Sequence, residues 1–402
     1  MGKWKIVRLE DVFISIKNGA SIKQGEKIGD GIPITRIETI SDGTINRNKM
    51  GYAGITDINK YSDYILDSGD ILMSHINSRK HIGKTALYRK QDGEAIIHGM
   101  NLLRLKVNSN RLNSGYANYY FKSYFFKKQL PSITKDSVNQ SSVTVTALKR
   151  LSIPTPPLYV QQKIAAVLDK ASALIKLRKA QLDKLDLLIK SQFIEMFGLP
   201  GSDNGKWKLC RLGDCCELNP KKSNDSCLTS DLIVSFIPMS AISENGSIET
   251  TIQKSYNEVK TGFTYFIEND VLFAKITPCM ENGKGAIAKE LCNGVGFGST
   301  EFHVLRPIKG KSNSYWLYTL TSLKHFRVDA ATNMTGSAGQ RRVPATYLKN
   351  YKVSLPPLSL QNEFAAFVEQ VNAQKKLLQQ SLEKMELNYK SLMQKCFRGE
   401  IF

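Results

Sequence analysis

The chain repeats itself, and the repeat limits its architecture more than any other feature. At an offset of 200 residues, Leu148-Lys149 recurs as Leu348-Lys349 and Pro156-Pro157-Leu158 as Pro356-Pro357-Leu358. In the same register Gln161 falls on Gln361, Ala165-Ala166 on Ala365-Ala366, Lys176-Leu177 on Lys376-Leu377 and Lys190-Ser191 on Lys390-Ser391. A register held this long means two copies of one structural unit. Upstream the match is looser. Trp4-Lys5 with Arg8-Leu9 answers Trp207-Lys208 with Arg211-Leu212, and Gly69-Asp70-Ile71-Leu72 answers Asn269-Asp270-Val271-Leu272. Each copy is thus a variable region of about 150 residues followed by a closely similar segment of about 40.

The variable regions read as mixed α/β. Short β-branched runs, Ile32 to Ile37, Asp70 to Ile76, Lys84 to Tyr88 and Leu102 to Val107, are punctuated by Gly, Asn and Asp. One helix is expected in each, over Tyr116 to Leu130 and Tyr315 to Val328. The aromatic residues of the first (Tyr119, Tyr120, Tyr124, Phe125, Phe126) have the spacing of a core stripe.

The similar segments start after a Pro-Pro stop and alternate apolar residues by three and four, as in long heptad helices. The first seam is Ile164, Leu168, Ala171, Ile175, Arg178, Leu182, Leu185, Ile189, Gln192 and Met196. The second is Phe364, Val368, Val371, Lys375, Leu378, Leu382, Met385, Tyr389, Leu392 and Cys396. Helices of nearly 40 residues span roughly 55 Å, so they are expected to pack on each other, with Arg178 and Lys375 snorkelling to water. The order domain, helix, domain, helix favours an antiparallel pair. The expected fold is therefore two tandem α/β (α+β) domains, each followed by a long helix, with the helices forming an antiparallel coiled coil of pseudo-twofold symmetry. The expected boundaries are 1–155, 156–197, a linker at 198–206, 207–355 and 356–402.

Fifty-six Lys and Arg against 36 Asp and Glu leave a net charge of +20. Residues 1–200 carry 31 basic and 17 acidic side chains, so the excess belongs to the body of the chain and not to a tail. A polyanion is the leading partner. No apolar run approaches the roughly 18 residues of a spanning helix, and the start lacks a signal-peptide core, which predicts a cytoplasmic protein with no membrane partner. All seven cysteines lie in the second half with no Cys-x-x-Cys pair. They read as reduced small hydrophobes (Cys210, Cys227, Cys279, Cys292, Cys396, with adjacent Cys215-Cys216) and not as a zinc or disulfide framework.

Enzyme motifs fail on inspection. Ile82-Gly83-Lys84-Thr85 looks like the end of a phosphate-binding loop, but its leading glycine would be Ser78, so it reads as a turn between strands. Gly294, Gly296 and Gly298 lack dinucleotide spacing and read as a loop brought close to something. Glu258-Val259-Lys260 has a nuclease-like spacing without an upstream acid and reads as a solvated loop. The five histidines form no metal pair. No catalytic residue, metal or cofactor is expected. The polar and basic loops suit DNA, since Lys and Arg anchor phosphates while Asn, Gln, Ser and Arg read base edges. In the first half the candidates are Ser74, Asn77, Arg79, Lys80, His81 and Lys84, joined by Arg36, Asn101 and Gln140. In the second they are Lys275, Thr277, Asn282 and Lys284, with Ser299, Thr300, Gln340, Arg341 and Arg342.

The chain resembles the specificity subunits of type I restriction-modification systems over nearly its whole length. The residues that carry the resemblance run from Leu148 to Gln162 (Leu-x-x-x-x-Ile-Pro-x-Pro-Pro-Leu-x-x-Gln-Gln) and from Leu348 to Gln361. Gly69-Asp70-Ile71-Leu72, Asp270-Val271-Leu272-Phe273, Gly298-Ser299-Thr300-Glu301-Phe302 and Thr335-Gly336-Ser337-Ala338-Gly339-Gln340 add to it, while Asn362 departs from the pattern by replacing the Gln seen at Gln162. The resemblance implies a non-catalytic subunit with two target-recognition domains that reads a bipartite site in double-stranded DNA. It also implies two methyltransferase subunits as partners, with restriction subunits joining through the complex. The DNA-contact candidates rest on residue chemistry and placement alone. Two other readings stand beside it: a self-contained DNA-modifying enzyme, and a coiled-coil scaffold binding nucleic acid.

Overall fold

The computed structural model describes residues 4–23, 31–138, 140–201, 205–222, 228–337 and 339–402. Cys227, Ala338 and linker residues 202–204 lie outside the described residues. The chain forms two compact units, one built from residues 1–177 with 381–402 and the other from 178–380.

In the first unit β1 (Lys5–Arg8) is followed by β2 (Phe13–Asn18), β3 (Ile71–Ser74), β4 (Ile76–Asn77), β5 (Thr85–Leu87) and β6 (Leu102–Val107). Helices α1 (Ser114–Lys122) and α2 (Tyr124–Gln129), strands β7 (Thr134–Asp136) and β8 (Ser141–Val143), α3 (Val145–Lys149) and β9 (Ser152–Thr155) lead into α4 (Leu158–Phe197). The central sheet is antiparallel in the order β2-β6-β3-β5. Strand alternation gives it two buried faces. Ile71, Met73, Leu103 and Leu105 join Tyr116 and Phe121 in one core, while Leu72, Ala86 and Leu102 join Ile40, Met50 and Tyr88 in another. Ile164 and Leu168 of α4 close the first core together with Met393, Cys396 and Phe397 from the end of the chain. The Phe397 ring sits 5.2 Å from Tyr116 and 5.4 Å from Tyr120.

The second unit takes in α4 from Arg178 onward and then runs through β10 (Lys208–Arg211), α5 (Leu212–Cys215), β11 (Cys216–Leu218) and β12 (Ile233–Ile237). It continues through β13 (Gln253–Ser255), α6 (Tyr256–Val259), β14 (Thr264–Ile267), β15 (Val271–Ala274), β16 (Gly285–Ile287), β17 (Val295–Gly298) and β18 (Phe302–Pro307). It closes with α7 (Ser314–Ser322), α8 (Lys324–Thr332), α9 (Ala345–Asn350), β19 (Lys352–Leu355) and α10 (Leu358–Arg398) as far as Gln380, the rest of α10 belonging to the first unit. Its sheet β11-β18-β15-β16 repeats the first unit's sheet in the same register, with Val271 opposite Leu305 as Ile71 is opposite Leu105. The pairs β1-β9 and β10-β19 also correspond. The units differ in a mixed sheet, β13-β12-β17-β14, in the second. Among the described residues the corresponding region of the first unit holds only isolated bridges such as Ile34–Ile97.

One buried glutamine per copy ties the long helix to its domain. Gln161 accepts from the Asn113 amide (2.8 Å) and donates to the carbonyls of Arg111 (3.1 Å) and Pro156 (2.8 Å). Gln361 makes the same three bonds to Asn313 (3.1 Å), Lys311 (2.9 Å) and Pro356 (3.0 Å). Asn362, the departure from the repeat, accepts a further bond from the Asn313 side chain.

Several expectations change. The run Ile32 to Ile37 is not a strand: it holds a bridge at Ile34 and leads into a 3-10 turn, Ile37–Ile40. Each single expected helix is two. Extended residues Ser123 and Leu323 break them, Ser123 Oγ donating back to the Tyr120 carbonyl and Leu323 being buried. Of the glycine cluster only Gly294 lies in a turn; Gly296 and Gly298 lie in β17, and there the close approach expected of them is found, since a Cβ would collide with the Phe266 ring and the Ile237 carbonyl. Glu258 is not in a solvated loop either. It caps α6 by accepting from the Ser255 amide and hydroxyl. Lys375 does not reach for water but pairs with Asp186 within the second unit.

The long helices have 40 and 41 residues. Ile164, Leu168, Phe364, Val368 and Leu382 are buried, while Ile175, Leu182, Leu185, Ile189, Leu378, Met385 and Leu392 are half-buried amid exposed neighbours. In the second unit the Phe364 ring lies 5.4 and 5.5 Å from Phe193 and Phe197.

Candidate nucleic-acid interface

In the first unit, the turn after β4, the Ser41–Gly43 turn and the ends of α1 and α2 enclose an open cleft of about 670 Å³. Among the described residues five basic side chains line it, Arg79, Lys80, Lys84, Lys122 and Lys127, against one acid, Asp42. Lys84 donates to the Ser41 carbonyl (2.8 Å) and Lys122 to the Gly43 carbonyl (2.9 Å), so two ammonium groups hold one turn and form the cleft floor. Burial holds the Lys122 ammonium below the ordinary lysine value. Lys80 and Lys127 are exposed, and Arg79, 72% exposed, rests 3.2 Å from Asp136. The charge therefore sits in two layers, an inner pair committed to the backbone and an outer set open to a phosphate.

The second unit carries a smaller cleft of about 350 Å³ lined by other elements. Asn219, Lys222, Lys260, Tyr265, Lys275 and Thr300 are among the residues lining it, and no acid is among the described ones. Lys222 lies 4.9 Å from the centre of the Tyr256 ring, a cation–π distance. Lys284, the repeat counterpart of Lys84, does the same work: its ammonium donates to the Met239 carbonyl (3.1 Å).

The structure thus brings Arg79, Lys80 and Lys84 together in one cleft, and Lys275 and Thr300 in the other. The remaining candidates fall elsewhere. Ser74 is a correction: it is buried, because both faces of its sheet are covered, and its hydroxyl accepts from Asn77. Asn77 also accepts from the Ser78 amide. Lys84 and Lys284 are structural in their own units. Arg342 forms a two-point pair with Glu301 (2.8 and 2.9 Å), which holds that carboxyl below the usual range, and Arg341 pairs with Glu281 (3.1 Å). Arg36 is exposed beside Glu38, and Asn101 turns the chain with a positive φ of 72°. Gln140 and Gln340 are exposed at turns, and His81 is half-buried. Thr277 touches the Met334 sulfur, Ser299 accepts from the Glu301 amide, and Asn282 is exposed.

Sequence reasoning missed Lys122, Lys127, Lys222 and Lys260. Lys122 lies within the aromatic stripe and Lys127 directly follows it, and most of the stripe is core: Tyr119, Tyr120 and Phe126 are buried, while Tyr124 is 59% exposed. A helical wheel that tracked the lysines as well as the rings would have found them. Among the described residues no cluster of three or more His, Cys, Asp or Glu could hold a metal, and no helix is long and apolar enough to cross a membrane.

Comparison with known proteins places this architecture. The family model for the type I restriction modification DNA specificity domain matches twice, over residues 1–187 and 204–387. A putative type I restriction enzyme MjaX specificity subunit from Methanocaldococcus jannaschii is 29% identical over 99% of this chain and 93% of its own length. The EcoEI specificity subunit of Escherichia coli is 37% identical over 50% of this chain, which amounts to 32% of that relative. Among solved structures, a chain from work on complex assembly and conformational transition of the type I R-M system aligns over 100% of this chain and 99% of its own, with a TM-score of 0.56 at 18% identity. A type I restriction-modification S subunit from M. genitalium aligns over 98% and 96%, with a TM-score of 0.51 at 13% identity. The last two show a shared fold. With two domain matches that together span most of its length, the chain belongs to the type I restriction-modification specificity subunit family.

Proposed function

We propose that this chain is the non-catalytic sequence reader of a type I restriction-modification complex, in which residues 1–155 and 207–355 each recognise one half of a bipartite site in double-stranded DNA. The observation that carries this reading is a basic cleft on each of two units that share one framework yet differ in the loops lining the clefts. Segments 156–197 and 356–402, the first of which leads into the second domain through the 198–206 linker, act as an antiparallel coiled-coil spacer that sets the distance between half-sites. The half-buried seam residues and the Lys375–Asp186 pair support that role. Leu174, Leu177, Leu187, Leu377 and Leu387 are more than half exposed on these helices and offer docking area to two methyltransferase subunits, through which restriction subunits join. The complex works in the cytoplasm.

The test is a competition of cognate against random duplex at fixed salt, paired with a methylation assay. The chain alone, with S-adenosylmethionine or Mg²⁺, leaves DNA unchanged. Adding the cognate methyltransferase subunit confers methylation at one bipartite sequence. Turnover by the isolated chain would return the enzyme reading, and binding without sequence preference the scaffold reading.

A further inference from the structure

The first turn of the second unit holds two thiols that nothing in the recognition function uses. Cys210 lies on β10 and Cys215 at the end of α5, and their sulfur atoms are 3.3 Å apart. Cys210 is half-buried and Cys215 fully buried, and both are free thiols. The neighbouring Cys216 is engaged elsewhere, its sulfur 3.4 Å from the Leu212 carbonyl. A disulfide has a sulfur separation near 2.05 Å, so closure requires the two atoms to approach by about 1.3 Å.

The repeat supplies the comparison. The capping box that opens this turn is the same in both copies, with the Arg8 amide donating to Asp11 and the Arg211 amide to Asp214, each at 3.1 Å. In that register Val7 and Val12 occupy the places of Cys210 and Cys215. The first unit thus fills the site with two inert side chains, and only the second can be oxidised there.

We propose that Cys210 and Cys215 form a peroxide-closable dithiol, a modification site that staples β10 to α5 in the second unit alone. Hydrogen peroxide oxidises the more accessible Cys210 to a sulfenic acid and is itself reduced, releasing one water. The Cys215 sulfur then attacks the Cys210 sulfur, the S–O bond breaks, and the hydroxyl leaves with the Cys215 proton as a second water. The net change is two thiols and one peroxide to one disulfide and two waters. Burial pushes the Cys215 thiol up, which disfavours it for first attack and leaves that step to the more accessible Cys210, while the 3.3 Å sulfur separation places Cys215 to resolve. The staple would fix the segment whose Cys215 carbonyl accepts from the Ser312 hydroxyl at 2.6 Å, beside the Asn313 cap of α7.

The experiment treats the folded full chain with hydrogen peroxide, blocks remaining thiols with N-ethylmaleimide after denaturation, and maps peptides by mass. The expected result is loss of two of the seven alkylatable thiols, recovered as a 210–215 intrapeptide link that dithiothreitol reverses. A variant carrying the first unit's residues, Cys210→Val with Cys215→Val, preserves the packing and should lose none. The proposal is overturned if Cys210 proceeds to sulfinic acid unlinked, if Cys215 pairs with Cys216, or if the wild-type chain keeps all its thiols while an added model dithiol is oxidised in the same tube.

Discussion

Removing the Gln161 side chain should loosen one unit and spare the other. Gln161→Ala deletes three hydrogen bonds at a site with no exposed surface. At about 1 kcal/mol net per bond the loss is about 3 kcal/mol, and the cavity left by the methylenes adds about 1. The Asn113 amide and Arg111 carbonyl are only partly buried, so water can recover a fraction of this. About 3 kcal/mol therefore remains, or roughly 150-fold in a local opening constant at 1.4 kcal/mol per factor of ten. Because a two-unit chain need not unfold in one step, the assay is native-state hydrogen exchange followed by mass spectrometry. Amides of residues 113–117 should exchange about two orders of magnitude faster in Gln161→Ala, with 313–317 unchanged. Gln361→Ala should show the reverse. Gln161→Met keeps the methylenes and should restore only the cavity part. Less than fivefold acceleration at 113–117, or equal acceleration in both copies, would refute the idea that each glutamine locks its own helix to its own domain.

If the first cleft contacts phosphates, Lys80→Ala with Lys127→Ala should flatten the slope of log K against log salt by about 0.9 for each lysine lost, at unchanged sequence preference. Binding titrations from 50 to 200 mM salt measure this, and an unchanged slope places the contact elsewhere. Arg47 donates to Glu94 from two nitrogens (2.5 and 2.9 Å), and with Tyr88 it holds that carboxyl down at about 2. A depressed folded value means that the stabilisation is complete above the unfolded value near 4.5 and is lost as pH falls from there toward 2. The shift corresponds to about 3 kcal/mol, which solvent around the pair screens to about 1–2 kcal/mol, and urea midpoints of Glu94→Gln should be flatter than wild type across that window. Four residues inserted beside both Leu177 and Leu377 add about 6 Å of helix. At about 3.4 Å per base step they should lengthen the spacer by roughly two base pairs with the same half-sites, and an active variant with the original spacer would show that the helices do not set it.

What the sequence made legible is what depends on local periodicity or on the repeat. Leu102 to Val107 is a strand over the expected residues, both long helices are present, and the Gln161/Gln361 match marks a shared hydrogen-bond lock. What was not legible depends on pairs distant in the chain. The first cleft exists because Lys84 meets a turn 43 residues away and Lys122 one 79 residues away, and no local pattern encodes such meetings. Arg342 looked available to DNA because its partner, Glu301, is 41 residues upstream. Ser74 looked like a loop residue because the layer covering the second face of its strand comes from Ile40, Met50 and Leu66. The breaks at Ser123 and Leu323 carry neither glycine nor proline, so the apolar rhythm ran through them unmarked.

The closing of the first core by Met393, Cys396 and Phe397 bears on how the protein is made. The second unit is one uninterrupted stretch of chain, whereas the first waits for residues 381–402. At 5–20 residues per second, the ribosome needs about 10–40 s to travel from the end of the first unit's leading segment to those residues. Throughout that interval Tyr116, Ile164 and Leu168 lack their final covering, so the half of the protein synthesised first is the half completed last. A chain truncated after Gln380 should therefore carry a protease-resistant second unit and a protease-sensitive first one.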